Sequence, residues 1–289
     1  MPLLKIVLLA IVQGLVEILP VSSSAHVVVA EKLMGLDPSA PSMTLLLVML
    51  HSGTMVAVIV YFWRRWRETY FSSMARFRRT AVQVILATAL TGVIGEGLAL
   101  VVQKTVFRGV RDAQIEDLFS HLELIAPALA AAGMLILLAG WREDRGRPAG
   151  EADGAGLTLR AAGIIGAVQG LCLPFRGFSR SGATISAGLL AGVGKASAED
   201  FSFALAVVLT PAVVAREALR VLRAEHAGGT AALAAAALPS LLGALLAFLA
   251  GLVALKWLSA WLEGGRWYLF GVYCLVAAAV VGGLHLAGF

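Results

Sequence analysis

Apolar residues run along this chain in long blocks rather than in the half-apolar stripes of soluble helices. Continuous blocks cover about 44–63, 81–102, 123–140, 231–255 and 267–288, and a more interrupted one covers about 201–222. Each approximates the roughly 20 residues that carry a helix across a bilayer core. Two further apolar stretches, about 3–34 and 160–194, are broken in the middle. The first runs to Leu19, breaks at Pro20-Val21-Ser22-Ser23-Ser24 and resumes as Ala25-His26-Val27-Val28-Val29-Ala30. The second runs to Leu173, breaks at Pro174-Phe175-Arg176-Gly177-Phe178-Ser179-Arg180-Ser181-Gly182 and resumes. Neither half of either stretch is long enough to cross alone, so each predicts a re-entrant hairpin of two half-helices turning at a polar tip. The pattern predicts an all-α polytopic membrane protein with six transmembrane helices and two such hairpins.

Composition agrees. Of the 289 residues 59% are hydrophobic and 14% charged, and the mean hydropathy is +0.86. A soluble surface needs about 25% charge, so a cytosolic enzyme, a disordered chain and a disulfide scaffold are excluded. The net charge of +5 reads as loop arginines that set topology, not as a nucleic-acid surface. Cys172 and Cys274 lie far apart in apolar stretches and predict small core residues. Gln13 and Glu17 interrupt what would be the apolar core of a signal peptide, so the first stretch is expected to be retained. The expectation is one integral membrane domain, 1–289.

The two broken stretches resemble each other. Val12-Gln13-Gly14-Leu15 recurs as Val168-Gln169-Gly170-Leu171, each followed by a proline and a serine-bearing break. One hairpin and three spans per half, approximately 1–140 and 158–289, give an odd number of crossings and hence an inverted repeat. Paired broken helices in such repeats place a site inside the membrane. The loop with Arg64, Arg65, Arg67, Arg76, Arg78 and Arg79 is predicted to be cytoplasmic. Alternation then puts 141–158 and 256–266 inside, 103–122 and 223–230 outside, and both termini outside, although Lys104, Arg108 and Arg111 in 103–122 run against the rule.

Ionisable groups at membrane depth cost about 2.5–3.5 kcal/mol or more and mark function. Glu17, His26 and Arg180 all adjoin the tips. Gln13 and Glu17, spaced i, i+4, share a helix face. Ser22-Ser23-Ser24 reads as a helix cap, and serine, histidine and carboxylate together are the ingredients of nucleophilic or general-base chemistry. At the second break, Ser179-Arg180-Ser181-Gly182-Ala183-Thr184 opens a half-helix whose amides and dipole attract anions. The hydroxyls add donors and Arg180 supplies a bidentate fork. Arg176 offers a second charge or snorkels to the interface. These residues predict an intramembrane anion site suited to a phosphorylated lipid.

Two stretches resemble a known family. Gln13 to His26 is similar to the first motif of the undecaprenyl-diphosphate phosphatases of the bacitracin-resistance type, and Gly177 to Ser186 to their second; Leu50-His51-Ser52-Gly53-Thr54 also matches. The resemblance implies a bacterial inner-membrane hydrolase with its site open to the outer side. It would remove the terminal phosphate of a C55 polyprenyl diphosphate with a divalent cation, Mg²⁺ or Ca²⁺, and so recycle the carrier for cell-wall synthesis. Glu17, Ser23, His26 and Arg180 take the catalytic roles, with Glu17 also the metal ligand. Gln13, Ser22, Ser179, Ser181, Gly182, Thr184 and Arg176 are the expected substrate-binding residues. Gln13 is the neutral choice at a Glu/Gln position, Ala25 stands where Gly is usual, and Arg176 replaces the usual Pro.

Two mechanisms fit the same residues: attack by Ser23 with His26 transferring protons, or direct attack by an activated water. A rival of another class is a polyprenyl-phosphate flippase using the same anion site, since broken inverted repeats are also a transporter architecture. The other lipid phosphatase superfamily fits poorly, because its Lys-x₆-Arg-Pro stretch and distal His-x₃-Asp pair are missing. The expected partners are the lipid substrate and the bilayer, and the sequence leaves room for a homodimer.

Overall fold

The computed structural model describes residues 2–36, 41–105, 122–146, 157–175, 177–225 and 230–287. Among them are ten helices and no strand: α1 Leu3–Ile18, α2 Ser23–Leu33, α3 Pro41–Thr69, α4 Met74–Thr105, α5 Leu122–Gly146, α6 Leu159–Cys172, α7 Arg180–Leu190, α8 Lys195–Glu225, α9 Thr230–Glu263 and α10 Trp267–Leu286. Five segments are long and apolar enough to cross a membrane: Met43–Thr69, Met74–Lys104, Ile125–Arg142, Ala237–Glu263 and Trp267–Leu286. They match five of the six expected spans. The sixth, about 201–222, falls within α8, which is helical throughout but is not among those five.

The two broken stretches are broken where the sequence predicts. At 1.5 Å per residue, α1, α2, α6 and α7 rise roughly 16–24 Å, short of the ~30 Å hydrocarbon core. α1 packs on α2, and α6 on α7. Apolar side chains point outward along the long helices: on α9, Leu238, Leu241, Leu245, Leu249 and Val253 are all exposed. In water such a stripe would be an aggregation surface; in lipid it is an ordinary helix face.

The described residues group into two compact units, each drawing on both ends of the chain. The first comprises Met1–Leu19, Ser23–Arg64 and Ala206–Leu258; the second comprises Pro20–Ser22, Arg65–Leu205 and Ser259–Phe289. In the first, Ile6, Leu9 and Ala10 of α1 pack with Val27 of α2, Met43, Leu46 and Leu50 of α3 and Ala247 of α9. Gly14 lets α9 come close, since a Cβ there would stand 2.7 Å from the Ala247 carbonyl oxygen. Small residues at helix contacts are how helices without a hydrophobic drive between them gain van der Waals packing.

In the second unit Ala87, Ala162, Ile165, Phe201 and Leu205 join α4, α6 and α8, while α7 packs on α5 and α6. Thr158 caps α6 by accepting from the Ala161 amide at 3.1 Å. α7 ends in a left-handed Gly192 (φ 87°), and Val193 N–H returns to the Gly188 carbonyl at 2.9 Å. That six-to-one bond is the Schellman stop, which leaves α7 only 11 residues long.

Candidate active site

Within the first unit, the end of α1 and the start of α2 bring together three of the expected residues. Gln13 and Glu17 sit one turn apart on α1, and the Gln13 amide donates to Glu17 Oε2 at 3.0 Å. Ser23, the first residue of α2, donates its hydroxyl to the same oxygen at 2.6 Å. Gln13 is buried, so its amide is held in place by that bond and by packing. His26 lies half-buried on α2, three residues beyond Ser23 and hence on the same helix face.

A fourth group joins them that the sequence reading did not assign. His51 of α3 places Nε2 3.7 Å from Glu17 Oε2, while its Nδ1 lies 2.8 Å from the Leu47 carbonyl oxygen. A carbonyl oxygen only accepts, so Nδ1 carries a hydrogen and Nε2 is the ring atom that faces the carboxylate. The available signal was an imidazole in the middle of the 44–63 span.

In the second unit, Ser179 caps α7 by accepting from the Gly182 amide at 3.3 Å. Arg180 follows as the first helical residue. Ser181 and Thr184 are buried, and the Thr184 hydroxyl donates to the Arg180 carbonyl at 2.7 Å and meets Ser202 Oγ at 2.5 Å. Trp267 Nε1–H donates to Ser186 at 3.1 Å. Deeper in α7, hydroxyls therefore anchor the half-helix, while Arg180 lies at its beginning. Gly182 is closely surrounded, since a Cβ would stand 2.8 Å from Ile136 Cδ1 and 3.1 Å from Pro20 Cβ. The tip of the first break, Pro20–Ser22, is part of this second unit, with the Pro20 carbonyl accepting from Cys274 Sγ at 3.2 Å. Arg176 lies outside the described residues.

The two tips share a backbone device. Ser22 (φ 68°) and Ser179 (φ 48°) are the only non-glycine residues at positive φ among those described. Each immediately precedes the first residue of a second half-helix, Ser23 in one case and Arg180 in the other. A non-glycine residue there costs of order 1–3 kcal/mol, and such strain collects at functional sites.

The donor set at Glu17 suits a hard divalent cation through carboxylate oxygen. Among the described residues no group of three or more His, Cys, Asp or Glu is arranged to hold a metal, so waters and substrate phosphates would have to complete any shell. A second charged cluster was also missed from sequence. Arg65, near the end of α3, contacts Asp200 at 2.9 Å and Glu199 at 3.3 Å, and Ser259 donates to Glu199 at 2.6 Å. Burial pushes the Glu199 carboxyl up to about 7 and that of Asp200 up to about 6, against the pull of the Arg65 charge.

Known proteins bear out the motifs. The pattern of the bacitracin resistance protein BacA matches residues 6–280, a stretch that contains both breaks. A protein of Acinetobacter baylyi named undecaprenyl-diphosphatase 2 is 60% identical over 284 residues, covering 97% of each chain. The undecaprenyl-diphosphatase of Desulfosudis oleivorans is 36% identical over 95% of each chain. Undecaprenyl-diphosphatase 2 of Burkholderia orbicola is 34% identical over 96% of this chain and 95% of its own. With two diagnostic motifs, a match over nearly its whole length and full-length relatives, the chain belongs to the bacitracin resistance protein BacA family.

Proposed function

We propose that this protein hydrolyses undecaprenyl diphosphate to the monophosphate and inorganic phosphate, returning the lipid carrier to cell-wall synthesis. The observation that carries the mechanism is the 2.6 Å bond from the Ser23 hydroxyl to the Glu17 carboxylate: it pairs a nucleophile with a base at a helix start. Arg180 and the first amides of α7 bind the phosphates and stabilise charge on the transferring group. Ser23 Oγ forms the bond to the terminal phosphorus as the anhydride P–O bond breaks, its proton passes to Glu17, and the lipid monophosphate leaves. Water then hydrolyses the phosphoserine, with His26 accepting its proton. Glu17 would also hold a Mg²⁺- or Ca²⁺-type cation, which when bound supplies positive charge against the diphosphate.

Use of both motifs on one substrate is supported by their joint occurrence in the family match over residues 6–280. We read about 201–222, within α8, as the sixth span, and α1–α2 and α6–α7 as re-entrant hairpins of an inverted repeat in the inner membrane, with the site open to the outer side. The flippase reading is not favoured, since the full-length relatives bear phosphatase names. Purified protein in detergent is expected to release phosphate from undecaprenyl diphosphate and to lose that activity with a chelator. Detergent-solubilised, folded protein that releases none would end the hydrolase reading.

A further inference from the structure

We infer that His51 is a second protein ligand for the cation held by Glu17, and that its nitrogen tilts the site toward a transition-metal ion such as Mn²⁺ over Mg²⁺ or Ca²⁺. This rests on the cation reading given above and extends it to a residue with no role there.

The geometry suits a pair of ligands to one ion. The 3.7 Å from Nε2 to Glu17 Oε2 is too long for a hydrogen bond. A carboxylate oxygen and an imidazole nitrogen on one divalent ion stand roughly 3–3.5 Å apart when bonded at about 2.0–2.5 Å. The gap therefore needs to close by only a few tenths of an ångström around an ion. The Nδ1 contact with the Leu47 carbonyl at 2.8 Å is the support that metal-bound histidines commonly have: it fixes the tautomer and aims Nε2. His51 sits inside the Met43–Thr69 span, yet its side chain is 42% exposed. A polar ring at that depth is costly in lipid and calls for a polar partner. Gln13 and Ser23 meanwhile donate to that same oxygen, Oε2, and so fix the orientation of the Glu17 carboxylate. A carboxylate alone suits Mg²⁺ and Ca²⁺; adding imidazole favours ions that accept nitrogen.

The test is pulsed electron paramagnetic resonance of the whole protein in detergent, with Mn²⁺ as the probe and no histidine tag. Wild-type protein is expected to show coupling of Mn²⁺ to a ¹⁴N nucleus. In His51→Gln that coupling should vanish, Mn²⁺ affinity should fall about tenfold or more, and Ca²⁺ should compete better. Bound Mn²⁺ without nitrogen coupling in the wild type, or coupling and affinity that survive in His51→Gln, would overturn the assignment. A wild-type spectrum without nitrogen coupling overturns the assignment even where the variant fails to fold. Glu17→Gln separates the two readings. If it binds Mn²⁺ like the wild type, the Glu17 cation site falls, and His51 with it. If it loses Mn²⁺ while the wild type lacks nitrogen coupling, only His51 falls. Phosphate release from undecaprenyl diphosphate is measured separately, so the hydrolase reading stands or falls by itself.

Discussion

At the residue scale, the same two facts explain Glu17 and Arg180: charge inside a membrane protein needs a partner, and a partner at a helix start is the nearest one. Glu17 collects two hydrogen bonds on one oxygen. Arg180 begins α7, where the amides that have no intrahelical acceptor already favour an anion. Lysine at 180 would keep the charge but lose the planar fork. Arg180→Ala should lower kcat/KM about 10³-fold, near 4 kcal/mol, and Arg180→Lys should be impaired strongly and not restored. Both should insert with wild-type folded yield, because α7 is anchored by Ser179, Thr184 and Ser186. Equal loss of turnover and folded protein would make Arg180 a structural partner instead. Gln13, Glu17 and Ser23 were legible because i, i+4 spacing and a short break constrain them locally. His51 was not, since nothing local links it to a carboxylate 34 positions earlier.

At the scale of elements, breaks are the informative feature. Proline followed by serine stops α1, and the strained serine before each second half-helix sets the direction of the residue after it. The start of α8 shows the opposite case, in which only assembly of distant segments creates the feature. Arg65 meets Glu199 and Asp200 from more than 130 positions away. Arg65 was read from sequence as a topology signal alone, and Glu199 and Asp200 were given no role. Burial raises both carboxyls in the folded state, Glu199 from 4.5 to about 7 and Asp200 from 3.8 to about 6. The folded protein then binds more protons than the unfolded chain between those values, so stability is fullest at low pH and falls as pH rises through the window. The slope is at most about 1.4 kcal/mol per pH unit per group. Between pH 6 and 7 the fall belongs to Glu199. Thermal unfolding in detergent should show it for the wild type and a flatter profile for Glu199→Gln; an unchanged slope in that variant would remove the buried carboxyl as its source.

At the scale of the whole molecule, five long apolar helices with outward-facing leucines and valines establish a multi-pass membrane protein. The orientation we propose rests on charge: six arginines from 64 to 79 favour the cytoplasmic side for that segment. Cysteine labels at 71–74 should be protected from impermeant reagents in intact cells, whereas labels in 223–230 should react. Reaction at 71–74 would turn the protein over and take the outward-facing site with it.

The sequence by itself determined the class, five of the spans, the positions of both breaks and the family. Those depend on hydropathy over about 20 residues, on proline and serine at fixed places, and on motif order, all of them properties of the local chain. Only the tertiary structure decided that the Ser23 hydroxyl rests on Glu17, that Pro20 packs beside Gly182, that His51 faces the carboxylate and that Arg65 meets two buried acids. The Ser23–Glu17 bond spans six positions and depends on the geometry of the break; the other three depend on distances between segments far apart in the chain, where glycines such as Gly14 and Gly182 set how closely helices and tips approach. Periodicity says which face of a helix is buried. It does not say which atom of another helix that face meets.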